Sequence, residues 1–97
     1  MKDVVYYNSL YDLYGSLLTD KQKMYFEDYY FNDLSLGEMA ENYDVSRNAI
    51  FKQVHIVTDK LDDYESKLKL YERNQKLEDI ISKTSDKELK SRLEELL

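Results

Sequence analysis

The sequence predicts an all-α protein, and three observations support this fold class. The 97 residues include no proline and only two glycines, although β architectures depend on these residues at their turns. Apolar residues recur at helical spacing along most of the chain. The capping box, a serine or threonine followed three residues later by glutamate or glutamine, occurs at Thr19, Ser35 and Ser85. The length suffices for one compact domain.

Three short helices are expected in the first half of the chain. The first is predicted from about Asp3 to Tyr14, where an aromatic and leucine stripe stops at Gly15. The second is predicted from Thr19 to near Phe31. The third is predicted to begin at the cap Ser35 and to end near Asn42 or Tyr43.

A tight turn at Asp44 and Val45 should lead into a long fourth helix capped by Ser46. Apolar residues continue along it at alternating spacings of four and three, from Ile50 to Tyr71, which is a heptad seam. This seam would span about 32 Å. Its distal part either packs on the first helix or pairs with a second copy. We favour a homodimer, with a seam formed by Val57, Leu61, Tyr64, Leu68 and Tyr71.

The chain divides, by prediction, into a helix-turn-helix domain at residues 1–74 and an amphipathic tail at residues 75–97. The tail is rich in lysine and glutamate and has an apolar patch at Leu77, Ile80 and Ile81. A further capping box at Ser85 precedes several leucines. One or two short helices are therefore expected in the tail.

The third and fourth helices are spaced as a helix-turn-helix requires. Ile50 and Val54 would hold the second of these helices to the core, so that polar side chains project from its opposite face. Between Ser46 and Ile56 there are two basic residues and no acidic residue. The candidate DNA-contacting residues on this face are Ser46, Arg47, Asn48, Phe51, Lys52 and His55.

The segments YGSLLT, YYFNDLSLGEMAE and VSRNAI occur in this order between residues 14 and 50. Over about residues 4–75 the chain closely resembles the YlxM-type family of bacterial proteins. Residues 18–50 also resemble region 4 of sigma factors, which implies a sigma region 4-like fold. Members of the YlxM-type family are commonly encoded beside genes of the signal recognition particle. The resemblance therefore implies a role in protein targeting or in regulating those genes.

Two functions stay open at this point. The first is a regulatory protein that binds double-stranded DNA through the fourth helix. The second is an interaction module for a protein or RNA of the signal recognition particle, with the helix-turn-helix as its scaffold. The net charge of −6 and the acids that follow Lys52 favour the second. Exposed Phe51 suits either a thymine methyl group or a protein partner.

The sequence gives no indication of an enzyme, and we expect neither a catalytic site nor a cofactor. His55 and Asp59 have the i, i+4 spacing of metal ligands, but two residues do not make a site, and a surface ion pair is favoured. The carboxylate pair Glu27 and Asp28 is expected to lie on a solvated face. No cysteine is present, and no apolar run is long enough to span a bilayer. A cytoplasmic protein without membrane insertion is expected.

Overall fold

A computed structural model describes residues 3–97, which form six α-helices and no strand. The predicted all-α fold class is thus confirmed. A 3₁₀ turn at Gly15–Leu17 follows the first helix, and a π-helical turn at Glu27–Phe31 extends the second. The helices are α1 (Val4–Tyr14), α2 (Asp20–Phe26), α3 (Leu36–Tyr43), α4 (Arg47–Leu68), α5 (Leu70–Lys83) and α6 (Lys87–Glu94).

Side-chain caps begin the helices where the sequence predicts them, with one exception. Thr19 and Ser35 each form a complete capping box, with Gln22 and Glu38 respectively. Ser46 caps α4 by accepting a hydrogen bond from the backbone N–H of Ala49 at 3.0 Å. The box predicted at Ser85 is wrong. The cap of α6 is the next residue, Asp86, whose carboxylate accepts from two backbone N–H groups.

The core lies where α1, α2 and α3 pack around the first two-thirds of α4. Fully buried side chains come from every one of these helices. The largest of them are Tyr14, Phe26, Leu10, Met39, Ile50, Leu61 and Val57. Burial of this apolar surface is the main force that holds the four helices together.

Four tyrosine hydroxyls in this core donate hydrogen bonds to carboxylates of other structural elements. Tyrosine buries its ring while its hydroxyl still needs a partner, and here each partner is an acidic side chain. The Tyr7–Asp62 and Tyr14–Glu65 bonds, at 2.9 and 2.6 Å, join α1 to α4. The other two bonds, Tyr11–Glu27 and Tyr43–Asp28, attach α1 and α3 to the π-helical turn.

These hydrogen bonds correct the expectation that Glu27 and Asp28 lie on a solvated face. Both side chains are partly buried and accept from tyrosines on different helices. Adjacent residues of a helix point in different directions, which allows this pair to engage two helices at once.

The fourth helix is shorter than the heptad pattern predicts: α4 ends at Leu68, whereas the pattern continues to Tyr71. Lys69 has a left-handed backbone conformation with φ of 54° and begins a new helix, α5. The carboxylate of Glu65 caps this new helix by accepting from the backbone N–H groups of Tyr71 and Glu72 at 3.0 and 3.2 Å. The Tyr14 hydroxyl accepts a third bond from the N–H of Leu70, at 3.1 Å.

The predicted dimer seam is largely used within the single chain, which corrects its assignment as an intermolecular surface. Val57 and Leu61 are 1% and 0% exposed, and Tyr64 and Tyr71 pack partly buried against the same core. Leu68 is 53% exposed, because α4 ends there. The seam therefore packs on α1, which was the other alternative that the sequence left open.

The tail forms a helical hairpin of α5 and α6 that extends the molecule to 55 × 24 × 22 Å. α5 packs against α1 and α6. The boundary predicted between residues 74 and 75 falls inside α5, so one continuous helix joins the two predicted regions. Over residues 3–97, no helix is both long and apolar enough to cross a membrane.

We predict that Glu65→Ala destabilises the protein by about 2 kcal/mol, because hydrogen bonds to a charged acceptor are worth about 1.5–3 kcal/mol. Asp63→Ala is the matched control, since it removes the same charge two residues earlier. Asp63 pairs with Lys67 on the exposed surface, and such a pair contributes less than about 1 kcal/mol. Urea unfolding measures both values. Equal effects of the two substitutions would contradict the capping role of Glu65.

We also predict that stability declines above about pH 10. Burial raises the pKa of Tyr30 to about 12, and burial together with the bond to Asp28 raises the pKa of Tyr43 to about 12. An unfolded tyrosine loses its proton near pH 10 while the folded one keeps it. The free energy of unfolding therefore falls as pH rises between these values, by at most about 1.4 kcal/mol per pH unit for each tyrosine.

Urea unfolding at several values between pH 8 and pH 11 measures this slope. Tyr43→Phe should lower the stability at pH 8 and make the alkaline slope shallower, because one titrating group is gone. A wild-type stability that stays constant through this range would overturn the prediction.

Candidate functional site

The helix-turn-helix consists of α3, a three-residue turn at 44–46 and the first part of α4. Asp44 ends α3 with a left-handed backbone (φ of 54°), a conformation that aspartate and asparagine adopt more readily than most residues. The N–H of Val45 then donates to the carbonyl of Ala40 at 3.1 Å. The side chain of Val45 is 44% exposed, so the backbone bond, and not burial of this side chain, closes the turn.

Burial fixes the orientation of α4 in this motif. Ile50 is 0% and Val54 is 7% exposed, and both pack into the core. The opposite side of α4 therefore faces solvent. All six side chains predicted for DNA contact are exposed: Ser46, Arg47, Asn48, Phe51, Lys52 and His55.

Two aromatic rings on this exposed face stack on each other. The ring centroids of Phe51 and His55 are 5.0 Å apart, with an angle of 28° between the planes. Phe51 is nevertheless 47% exposed. The two stacked rings therefore form a partly solvated aromatic patch one helical turn long.

A shallow cleft runs between this aromatic pair and the start of α3. Leu36, the first residue of α3, lines it together with Phe51, Arg47 and Asn48. A second cavity of about 130 Å³ continues past Phe51 and His55 toward Tyr29. The structure thus brings Leu36 and Tyr29, which are not among the candidate residues from the sequence, to the predicted site.

A second apolar side chain of this face was also missed. Ile56 follows Lys52 by one helical turn and is 43% exposed. Its position in the sequence, outside the heptad seam and among polar residues, was the available signal. The exposed part of α4 therefore combines two cations with two large apolar side chains, Phe51 and Ile56.

The local electrostatics of the site are mixed. Arg47 and Lys52 are exposed and lie near the amino end of α4, where the free backbone N–H groups add positive potential. Asp44 flanks them in the turn, and Asp59 lines the far end of the aromatic cavity beside His55. The positive surface is thus confined to the first two turns of α4.

His55 and Asp59 line the same cavity. Within residues 3–97 they form no ion pair with each other, so the surface ion pair favoured from their spacing is wrong. Among residues 3–97, no group of three histidine, aspartate or glutamate side chains is placed to hold a metal ion. The aromatic stacking of His55 on Phe51 accounts for its orientation without a metal.

Comparison with known proteins agrees with this geometry. The model of the UPF0122 family, described as helix-turn-helix proteins of the YlxM / p13-like type, matches residues 1–97. The chain belongs to this family. The resemblance to the YlxM-type family noted from the sequence is thereby confirmed.

Relatives from several bacteria carry the same family name. A UPF0122 protein of Bacillus velezensis is 47% identical over 88 residues, which cover 91% of this chain and 78% of the relative. One from Lactococcus lactis is 43% identical over 94 residues, covering 92% and 85%. One from Staphylococcus epidermidis is 49% identical over 69 residues, covering 71% of this chain and 63% of the relative.

We predict that Phe51→Ala costs less than about 1 kcal/mol of stability, whereas Ile50→Ala costs about 2–5 kcal/mol. The two residues are adjacent, but Ile50 is fully buried and Phe51 is 47% exposed. Thermal or urea unfolding compares the two variants. A large loss of stability for Phe51→Ala would show that the ring serves the core rather than the surface.

Proposed function

We propose that this protein binds double-stranded DNA through the exposed face of α4. The observation that carries the proposal is the amino end of that helix. Arg47, Asn48 and Lys52 project from it into solvent while Ile50 and Val54 hold it to the core. A helix presented in this way fits the major groove of B-form DNA. Membership of a helix-turn-helix family supports the same function.

Each exposed side chain has a role that follows from its chemistry. Arg47 suits the O6 and N7 acceptors of guanine or a phosphate, and Asn48 suits the N6 and N7 of adenine. Lys52 neutralises a phosphate. Phe51 offers an apolar surface to a thymine methyl group, with His55 stacked behind it. Ser46 keeps the helix end in place through its cap.

The biological setting forms part of the same proposal. We assign the protein a non-enzymatic role as a transcription regulator in the cytoplasm, acting on genes linked to the signal recognition particle. This assignment rests on the resemblance to the YlxM-type family and to region 4 of sigma factors.

The test begins with the wild-type chain and fragmented genomic duplex at low and at moderate salt, followed by sequencing of the retained fragments. We expect enrichment of a defined site that weakens as salt rises. Arg47→Ala combined with Lys52→Ala should then weaken binding to that site by about tenfold to a hundredfold.

The matched control replaces Lys76 and Lys83 with alanine, which removes the same charge from exposed positions on α5. It should leave the affinity within about twofold of wild type, because both lysines lie outside the proposed interface. An equal loss of affinity in the two double variants would indicate a general charge effect. No enrichment of any duplex at low salt would overturn DNA binding altogether.

A second candidate function is an interaction module for a protein or RNA of the signal recognition particle. The specific observation in its favour is the apolar part of the exposed α4 surface: Phe51 is 47% exposed beside the cleft at Leu36, and Ile56 is 43% exposed further along the helix. Large exposed apolar side chains are typical of partner surfaces. In this case Phe51→Ala should abolish capture of purified signal recognition particle protein or RNA, while the Arg47 and Lys52 substitutions leave protein capture intact.

A further inference from the structure

The hairpin of α5 and α6 carries an apolar surface that the rest of the chain does not cover. Ile81 is buried, and Leu77 and Leu93 are partly buried. Three further side chains, Ile80, Leu89 and Leu96, are 49%, 48% and 55% exposed. We call the five side chains that stay at least partly exposed, Leu77, Ile80, Leu89, Leu93 and Leu96, the hairpin face.

The short length of α6 means that a cover over the hairpin face would stabilise the helix further. The helix has eight residues, and isolated helices shorter than about 12 residues are marginal in water. It packs mainly on α5, and every residue of α6 except Leu93 is classed as exposed. Leu89 and Leu93 lie four residues apart on α6, and Leu96 follows in the turn after the helix. This spacing is typical of the apolar stripe of a segment that packs against another layer.

The distribution of charge indicates which partner fits. Residues 1–69 hold eight basic and thirteen acidic side chains, whereas residues 70–97 hold six basic and seven acidic ones. The hairpin is therefore nearly neutral within an acidic protein, so that two hairpins would approach without strong repulsion. On α6, Lys90 and Arg92 precede Glu94 and Glu95. Two antiparallel copies of α6 would set these opposite charges against each other.

We propose that a second copy of this chain covers the hairpin face, so that two hairpins form a symmetric four-helix bundle. A symmetric pair buries the same patch on both copies, which the self-complementary charges and the apolar stripe of α6 allow. This homodimer forms through the hairpin and not through the seam on α4, because most of that seam is already packed in the core.

The size of the face sets the expected strength of the dimer. α5 is about 21 Å long and two packed helices are about 20 Å wide, so each copy contributes roughly 400 Å² of flat surface. The two copies together would bury roughly 800 Å², which is less than a stable interface needs and is typical of a weak, transient one. The dissociation constant is accordingly expected on the order of 10 µM.

The proposed dimer can be tested separately from nucleic-acid binding. The hairpin begins at the carboxyl end of α4, about 30 Å along that helix from Arg47. Both copies would therefore keep their exposed α4 faces free. Self-association is measured in the absence of nucleic acid, so its failure and the failure of DNA binding are separate results.

Sedimentation equilibrium of the full chain from about 1 to 500 µM provides the test. The weight-average mass should rise from 11.7 kDa toward twice that value. Leu96→Glu should raise the dissociation constant at least tenfold, because it buries a charge in the interface. Ser91→Glu is the matched control: it adds the same charge to the opposite side of α6 and should change the constant less than about threefold.

A second pair of variants covers the case in which Leu96→Glu unfolds α6. The chain has no cysteine, so Leu96→Cys and Ser91→Cys each introduce a unique thiol. A short bismaleimide should cross-link the former into dimers and the latter much more slowly. Equal cross-linking of both, or equal association of both glutamate variants, would overturn the proposal.

Other occupants of the hairpin face would appear as distinct results. A wild-type chain that stays at 11.7 kDa throughout the concentration range overturns the second copy as partner. If that monomer sediments with vesicles of phosphatidylglycerol and phosphatidylcholine, the face is a lipid-binding surface instead.

Discussion

The hydrogen bonds between tyrosine hydroxyls and carboxylates determine how the helices of this protein meet. A tyrosine ring can enter the core only if its hydroxyl keeps a partner. Tyr7 and Tyr14 find theirs on α4, at Asp62 and Glu65, which fixes α1 along the same stripe that the heptad pattern marks. Because these acids are bound inside the fold, part of the negative charge of the chain serves its architecture rather than its surface.

One of these bonds also sets the shape of the whole molecule. Glu65 accepts from Tyr14 and from two N–H groups at the start of α5, so the same carboxylate attaches α1 and caps the next helix. The left-handed backbone of Lys69 makes the change of direction possible. The hairpin thus leaves α4 at a fixed junction, far from the helix-turn-helix at the other end.

The starts of the helices were predicted well, because they depend on residues close together in the sequence. Features that depend on contacts between distant residues were predicted less well. The caps at Thr19, Ser35 and Ser46 are decided by residues three positions apart, and the structure contains all of them. The seam was ambiguous because a heptad pattern is the same whether its partner is α1 or a second chain. The end of α4 at Leu68 could not be predicted, since it depends on contacts of Glu65 with residues six and seven positions later.

In the candidate site, too, features set within one helix were predictable, whereas features set by packing between helices were not. Exposure of Arg47, Asn48 and Lys52 follows from the periodicity that buries Ile50 and Val54. The approach of Leu36 and Tyr29 to Phe51 depends on how α3 and the π-helical turn pack on α4. No spacing within one helix could indicate this cleft, because its walls come from separate elements.

The acidic net charge is compatible with the proposed DNA contact because dissolved salt screens the interaction between distant charges. Asp62 lies about 22 Å along α4 from Arg47, whereas charges are screened beyond about 8 Å at physiological ionic strength. The remaining cations at the site are few, and two phosphate contacts contribute little affinity by themselves. A weakly bound single unit gains most from being linked to another, since the second contact then occurs at high effective concentration. In this way the proposed hairpin dimer would supply the affinity that the short basic surface of α4 lacks.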